Sequence, residues 1–162
     1  CDPEGLEGGA PSVNNHHTGL GLLPLRTVFS ADKALRQRSS VARWPAGSSD
    51  LKLEGFELHH GRTASKESEP CQPLCLDAEL GWVTPISERG GFVAGTYLHG
   101  VFESGPWRRR WLNQLRARKG LPPLSEQQPH HSRQREALLD RLADAFEQHI
   151  NIEPLLSSSP HA

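Results

Sequence analysis

Apolar positions in this chain are gathered into a few short runs separated by long polar stretches. Residues 19–30 (GLGLLPLRTVFS) place Leu, Val and Phe around Pro24, which predicts a strand interrupted at or near the proline. Residues 51–63 (LKLEGFELHHGRT) alternate apolar and polar positions, with Leu51, Leu53, Phe56 and Leu58 apolar and a break at Gly55 that suggests a bulge. Residues 82–86 and 92–98 predict a hairpin across Ser87-Glu88-Arg89-Gly90-Gly91, and its second run, with Phe92, Val93, Ala94, Tyr97 and Leu98, reads as a strand buried on both faces. Between these blocks, residues 1–18 read as a loop, 32–49 as an exposed connection or weak strand, and 64–77 as a second polar loop.

Helical periodicity takes over after residue 104. Ser104 and Gly105 are candidate N-caps, Pro106 suits the first turn, and Trp107, Trp111, Leu112 and Leu115 line one face before Gly120. Leu121-Pro122-Pro123 breaks the chain, and Leu138, Leu139, Leu142, Ala145, Phe146 and Ile150 then recur at helical spacing from Ser132. Residues 155–162 form a Ser-rich tail that is expected to be disordered.

Composition narrows the class. At 162 residues, with 35% hydrophobic residues, 15 Gly and 13 Pro, the chain supports one turn-rich domain over residues 1–152 and a tail over 153–162. No apolar stretch approaches the ~20 residues of a membrane span, and the N-terminus has no signal-like core, so a soluble cytoplasmic protein without a membrane partner is expected. Three cysteines make no disulfide framework and fit a reducing compartment. The absence of any Met suggests that the sequence starts inside a longer polypeptide.

Three groups of residues invite chemistry. His99 follows the apolar run Gly95-Thr96-Tyr97-Leu98, and a titratable ring at the rim of a sheet is where α/β enzymes keep their chemistry. The plainer alternative is a histidine that only hydrogen-bonds a nearby carbonyl. Glu57 and His59 stand two apart in a strand and so share a face, either lining a ligand pocket or supporting the sheet edge, while His60 points the other way towards solvent. Nine histidines and the Cys71/Cys75 pair raise the question of a metal, but neither spacing matches a zinc site, and none is expected. Trp107-Arg108-Arg109-Arg110-Trp111 through Arg116, Arg118 and Lys119 mimics a nucleic-acid surface. With a net charge of -1, solvated arginines on an amphipathic helix are the better account, so no nucleic-acid partner is expected.

Four ordered blocks carry a family resemblance: Asp2-Pro3-Glu4-Gly5-Leu6-Glu7-Gly8; Gly19-Leu20-Gly21-Leu22-Leu23 with Thr27-Val28-Phe29 and Lys33; Gly55-Phe56-Glu57-Leu58-His59 with Gly61-Arg62-Thr63; and Gly95-Thr96-Tyr97-Leu98-His99-Gly100-Val101-Phe102. Over residues 2–118 the chain resembles the C-terminal glutamine amidotransferase domain of cobyric acid synthases, within the cobalamin-type glutamine amidotransferases. The His-bearing block alone is shared with the amidotransferases of cobyrinate diamide synthase and of peptidoglycan amidation, and a non-catalytic, amidotransferase-like binding module is the other alternative.

The resemblance implies the C-terminal part of a three-layer α/β sheet of the class I glutamine amidotransferase type, closed by two helices. It implies a cysteine thiolate that attacks the amide of L-glutamine, with His99 as general base; the face shared by Glu57 and His59, as substrate-binding residues, would then line the glutamine pocket or the ammonia exit. It further implies a separate upstream domain that uses ATP and Mg to amidate carboxylates of a corrinoid, with no cofactor bound by this chain. The family's Gly-x-Cys-Gly-Gly turn is absent, and Val101 occupies the position where commoner amidotransferases carry a glutamate two residues after the histidine. The chain is therefore expected to be a C-terminal fragment that lacks the nucleophile and hydrolyses no glutamine alone.

Overall fold

A proline opens the first element. Pro24 has no N–H to give a ladder, and strand β1 (Leu25–Val41) begins directly after it. It pairs antiparallel with β2 (Lys52–Ser65), the strand read from the alternation of residues 51–63. The computed structural model describes residues 1–6, 16–66, 68–69, 71–86 and 91–151, so the expected tail lies outside the described residues, as does most of the N-terminal loop.

Of the two readings of the polar segment from residue 32, the strand holds as far as Val41: it continues β1, most of whose side chains stand in solvent. Its polarity reports an exposed strand. The expected bulge moves. Register runs unbroken from Lys33↔His60 to Val41↔Lys52, through Gly55, and the irregularity lies between Val28↔Arg62 and Lys33↔His60. There the residues Phe29, Ser30, Ala31 and Asp32 face Gly61 alone, whose φ of +82° is open to glycine and whose Cβ, if present, would overlap the Val28 carbonyl oxygen. The N-terminal residues brace this bulge: the Cys1 amino group donates to the Thr27 carbonyl at 2.9 Å, and the Ala31 N–H donates to Glu4 Oε2 at 2.9 Å.

The second sheet contains β3 (Gln72–Pro73), β4 (Gly81–Ile86) and β5 (Gly91–Thr96) in the order β3-β4-β5. The β4–β5 pairing is the expected hairpin, although residues 87–90 at its turn lie outside the described residues. Burial of β5 on both faces is not observed: Phe92 and Val93 are half-buried and Ala94 and Thr96 exposed. The run from Gly91 is divided between two sheets. At Tyr97 the chain bends, with Thr96 Oγ1 donating to the Leu80 carbonyl at 2.6 Å and accepting from the Leu98 N–H at 2.9 Å. Beyond the bend, β6 (Leu98–His99) joins the first sheet as the antiparallel neighbour of β2, in the order β1-β2-β6.

The core joins these parts. Leu53, Leu74, Leu80, Val83, Leu98, Val101 and Trp107 form one buried cluster drawn from both sheets and helix α1 (Gly105–Arg118). Trp107 donates its indole N–H to the Trp44 carbonyl at 2.8 Å, which satisfies its polar atom inside the core. Ser104 holds the N-cap position, yet its hydroxyl donates to the Lys52 carbonyl at 3.1 Å and tethers the helix start to β2.

The arginines of α1 are less solvated than expected. Arg110 forks onto Glu126 at 2.8 and 2.5 Å and onto the Gly47 carbonyl, and Arg116 donates to the Pro122 carbonyl at 2.8 Å. Planar, multi-donor guanidinium groups pin irregular backbone to a helix well. Helix α2 (His131–His149) has no buried residue and leaves Leu138, Leu139, Leu142 and Phe146 exposed. No helix among the described residues is long and apolar enough to cross a membrane. The whole is a mixed α/β structure with two sheets and two C-terminal helices, in keeping with part of an amidotransferase-like fold.

Candidate active site

Strand β2 sits at the centre of its sheet and presents two chemically different faces. Glu57, His59 and Thr63 alternate onto one of them. Glu57 is 2% exposed, and its carboxylate meets three donors: Arg36 Nε at 2.7 Å, Arg38 Nη1 at 3.4 Å and His59 Nε2 at 2.8 Å. The Arg36 hydrogen bond holds the Glu57 carboxyl below the usual carboxylate range against the opposing effect of burial, and His59 and Arg38 add to it. The other ring nitrogen of His59 lies 3.1 Å from the Gly61 carbonyl, and the ring stacks on Tyr97 with centroids 3.7 Å apart. Tyr97 continues the network, with its hydroxyl 2.6 Å from that of Thr63, which is 2.6 Å from that of Thr27.

These groups border a cleft of about 610 Å³ lined by Lys33, Arg36, Glu57, His59, Thr63 and Tyr97 among others. The shared face of Glu57 and His59 is as the alternation predicts; Glu57 lies where β2 is flanked by both β1 and β6, and His59 just beyond the end of the β6 pairing. His60 is half-buried, with Nδ1 3.3 Å from the Ser30 carbonyl in the bulge, rather than solvated. Sequence reasoning missed Arg36, Arg38 and Tyr97. The two arginines alternate at period two in a segment read as an exposed connection or weak strand, and that alternation was the available signal.

His99 belongs to the opposite face. It is paired with Phe56, the residue before Glu57, and the two rings stack with centroids 4.8 Å apart and planes 8° from parallel. The imidazole is exposed, with no hydrogen bond to it among the described residues, so the carbonyl-bonded alternative does not apply. Gly100, at φ +84°, turns the chain out of β6 into a short 3-10 turn, Val101–Glu103. Val101 is buried in the core, 6% exposed, and brings no charge to the histidine. The sheet thus separates His99 from Glu57 and His59.

Among the described residues, no hydrogen bond joins a cysteine to His99. Cys75 is fully buried, its thiol donates to the Asp77 carbonyl at 3.3 Å, and burial pushes its pKa up, away from thiolate character. Cys71 lies 4.0 Å from the Thr84 hydroxyl, and Cys1 is engaged at β1 through its backbone. Among the described residues, no three His, Cys, Asp or Glu side chains are grouped to hold a metal ion.

Comparison with known proteins gives this geometry a family. Residues 1–107 match the CobB/CobQ-like glutamine amidotransferase domain. Cobyric acid synthase of Synechococcus sp. (strain CC9311) is 80% identical over 98% of this chain and 32% of its own length. Cobyric acid synthase of Synechococcus sp. (strain WH7803) is 65% identical over 96% of the chain and 31% of its length. That of Prochlorococcus marinus (strain MIT 9313) is 48% identical over 98% of the chain and 31% of its length. The chain spans about a third of the length of these curated relatives. No solved structure matches it. By the match over residues 1–107 and by these identities, the chain belongs to the CobB/CobQ-like glutamine amidotransferase domain family.

Proposed function

We propose that this chain is the base-bearing part of the amidotransferase of a cobyric acid synthase, with His99 as general base. The observation that carries the proposal is the position of His99: an exposed imidazole at the end of β6, with no hydrogen bond to it among the described residues, inside a sequence 80% identical to a cobyric acid synthase. In this reading a cysteine thiol from a preceding segment of the longer polypeptide gives its proton to His99. The thiolate attacks the side-chain amide carbon of L-glutamine, the tetrahedral intermediate collapses as His99 returns the proton to the departing ammonia, and water hydrolyses the glutamyl thioester. ATP and Mg act in a separate domain, where they activate corrinoid carboxylates for amidation, and no residue of this chain is assigned to them.

Glu57 and His59 are assigned to the ammonia side of the sheet rather than to the attacked amide. Their position on the face opposite His99 supports this. A free carboxylate on an ammonia path would hold ammonium; Glu57 is saturated by Arg36, Arg38 and His59 and has no such vacancy. The test is amidation of a corrinoid polycarboxylate by the full-length polypeptide with ATP, Mg and either glutamine or ammonium as nitrogen donor. A mass decrease for each carboxylate converted to an amide is expected with both donors. A protein that amidates no corrinoid with either donor would overturn the assignment.

A further inference from the structure

A general base must be aimed as well as present, and in this chain the usual aiming group is missing. The position two residues after His99 is Val101, turned into the core. The nearest acid along the chain, Glu103, packs over Gly100, where a Cβ built on the glycine would sit 3.7 Å from its carboxyl carbon. The ring that does touch His99 is Phe56, at 4.8 Å and 8°. The same residue is its backbone partner in the β2–β6 ladder, and Gly55 lets the His99 carbonyl approach β2 at a point where any side chain would collide with it.

We infer that Phe56 is the positioning residue of His99, orienting the imidazole by stacking where other Cys/His enzymes use a hydrogen-bonded acid. This rests on the assignment of His99 as base. Stacking fixes the plane of the imidazole and confines both ring nitrogens to it, so proton transfer has a defined direction without a bond to either nitrogen. A carboxylate partner would fix the tautomer and add charge as well; an apolar ring supplies orientation alone, and both nitrogens stay available for the thiol proton and its return to ammonia. Phe56 touches no reacting atom in this scheme and acts only through His99.

Two measurements test it. In the full-length polypeptide, the carbon-bound ring protons of His99 should resonate upfield of those of an unstructured histidine, owing to the Phe56 ring current, and Phe56→Leu should abolish the displacement. Solvent-like resonances in the unsubstituted chain would overturn the stack without recourse to any variant. In the full-length polypeptide, glutamine hydrolysis is compared for Phe56→Leu, Phe56→Tyr, Glu103→Gln and His99→Ala. The expectation for Phe56→Leu is a kcat roughly 10- to 100-fold lower, the scale of a misaimed catalytic group, with KM for glutamine within about twofold. Phe56→Tyr, which keeps the stack, should restore kcat to within about threefold, and Glu103→Gln should leave it unchanged.

If His99→Ala abolishes hydrolysis but Phe56→Leu retains full kcat, or loses activity through KM alone, positioning by Phe56 is wrong and the base assignment stands. A loss confined to Glu103→Gln would transfer the role to that acid. If His99→Ala retains activity, the base assignment itself fails and takes this inference with it.

Discussion

The two faces of β2 handle their ionisable groups in opposite ways. On one, Glu57 is buried beneath two guanidinium groups and an imidazole, and the chain of contacts runs on through Tyr97 and Thr63 to Thr27. On the other, His99 lies flat on Phe56 with neither ring nitrogen hydrogen-bonded among the described residues. A saturated group is held by its partners and contributes stability, whereas an unsaturated one on a fixed ring is free to exchange a proton with whatever is brought to it. Nearby titratable residues in one small sheet thus differ in whether their polar atoms are already engaged, and the proposed role of His99 rests on that difference.

Removing the saturated group should be the most damaging change. Glu57→Ala is expected to cost about 2–3 kcal/mol in urea denaturation, towards the low end for breaking a buried pair because Arg36 is largely solvated and regains water. A loss below about 0.5 kcal/mol would erase the contrast between the faces. Acid should act through the same residue. The folded-state pKa of Glu57 is depressed by Arg36, so its contribution is fully present above the unfolded carboxylate value of about 4.3 and is lost as the pH falls through the lower folded value. Glu57→Gln should accordingly flatten the fall in Tm on acidification relative to the parent chain. Equal slopes for the two proteins would show that the Arg36 pairing is not formed in solution.

Smaller effects follow along the hydroxyl chain and across the sheet. Thr63→Val removes the bridge between Thr27 and Tyr97 and should cost about 1–2 kcal/mol, read by the same denaturation. His99→Ala, losing an exposed ring and one stack, should cost less than about 1 kcal/mol. Reversal of that order, with His99→Ala worse than Glu57→Ala, would mean that the open face is structural after all.

Much of the local structure was legible because it depends on near neighbours. The alternation of residues 51–63 located β2 and put Glu57 and His59 on one face, and capping and periodicity located both helices within a residue or two. Ambiguities and misreadings arose where tertiary pairing decides. Residues 32–41, whose polarity left an exposed connection and a weak strand both open, are a strand because a hairpin partner satisfies their backbone and solvent takes their side chains. Gly55 looked like a bulge; its lack of a side chain serves the close passage of the His99 carbonyl, a contact from 44 residues away. The run at Gly91 looked like one buried strand because the bend at Tyr97 rests on Thr96 and the Leu80 carbonyl, which no periodicity reports. The family motif drew attention to His99, but the separation of His99 from Glu57 and His59 by the sheet emerged only from the β2–β6 register.

The most direct test of the division between the faces is the nitrogen-donor ratio of His99→Ala in the full-length polypeptide, with ATP, Mg and corrinoid present. Loss of glutamine-dependent amidation by a factor of about a hundred or more, with ammonium-dependent amidation unchanged, is the expected result for a base that only liberates ammonia. Glutamine-dependent amidation that survives at the parent rate, or falls together with the ammonium-dependent rate, would contradict the account.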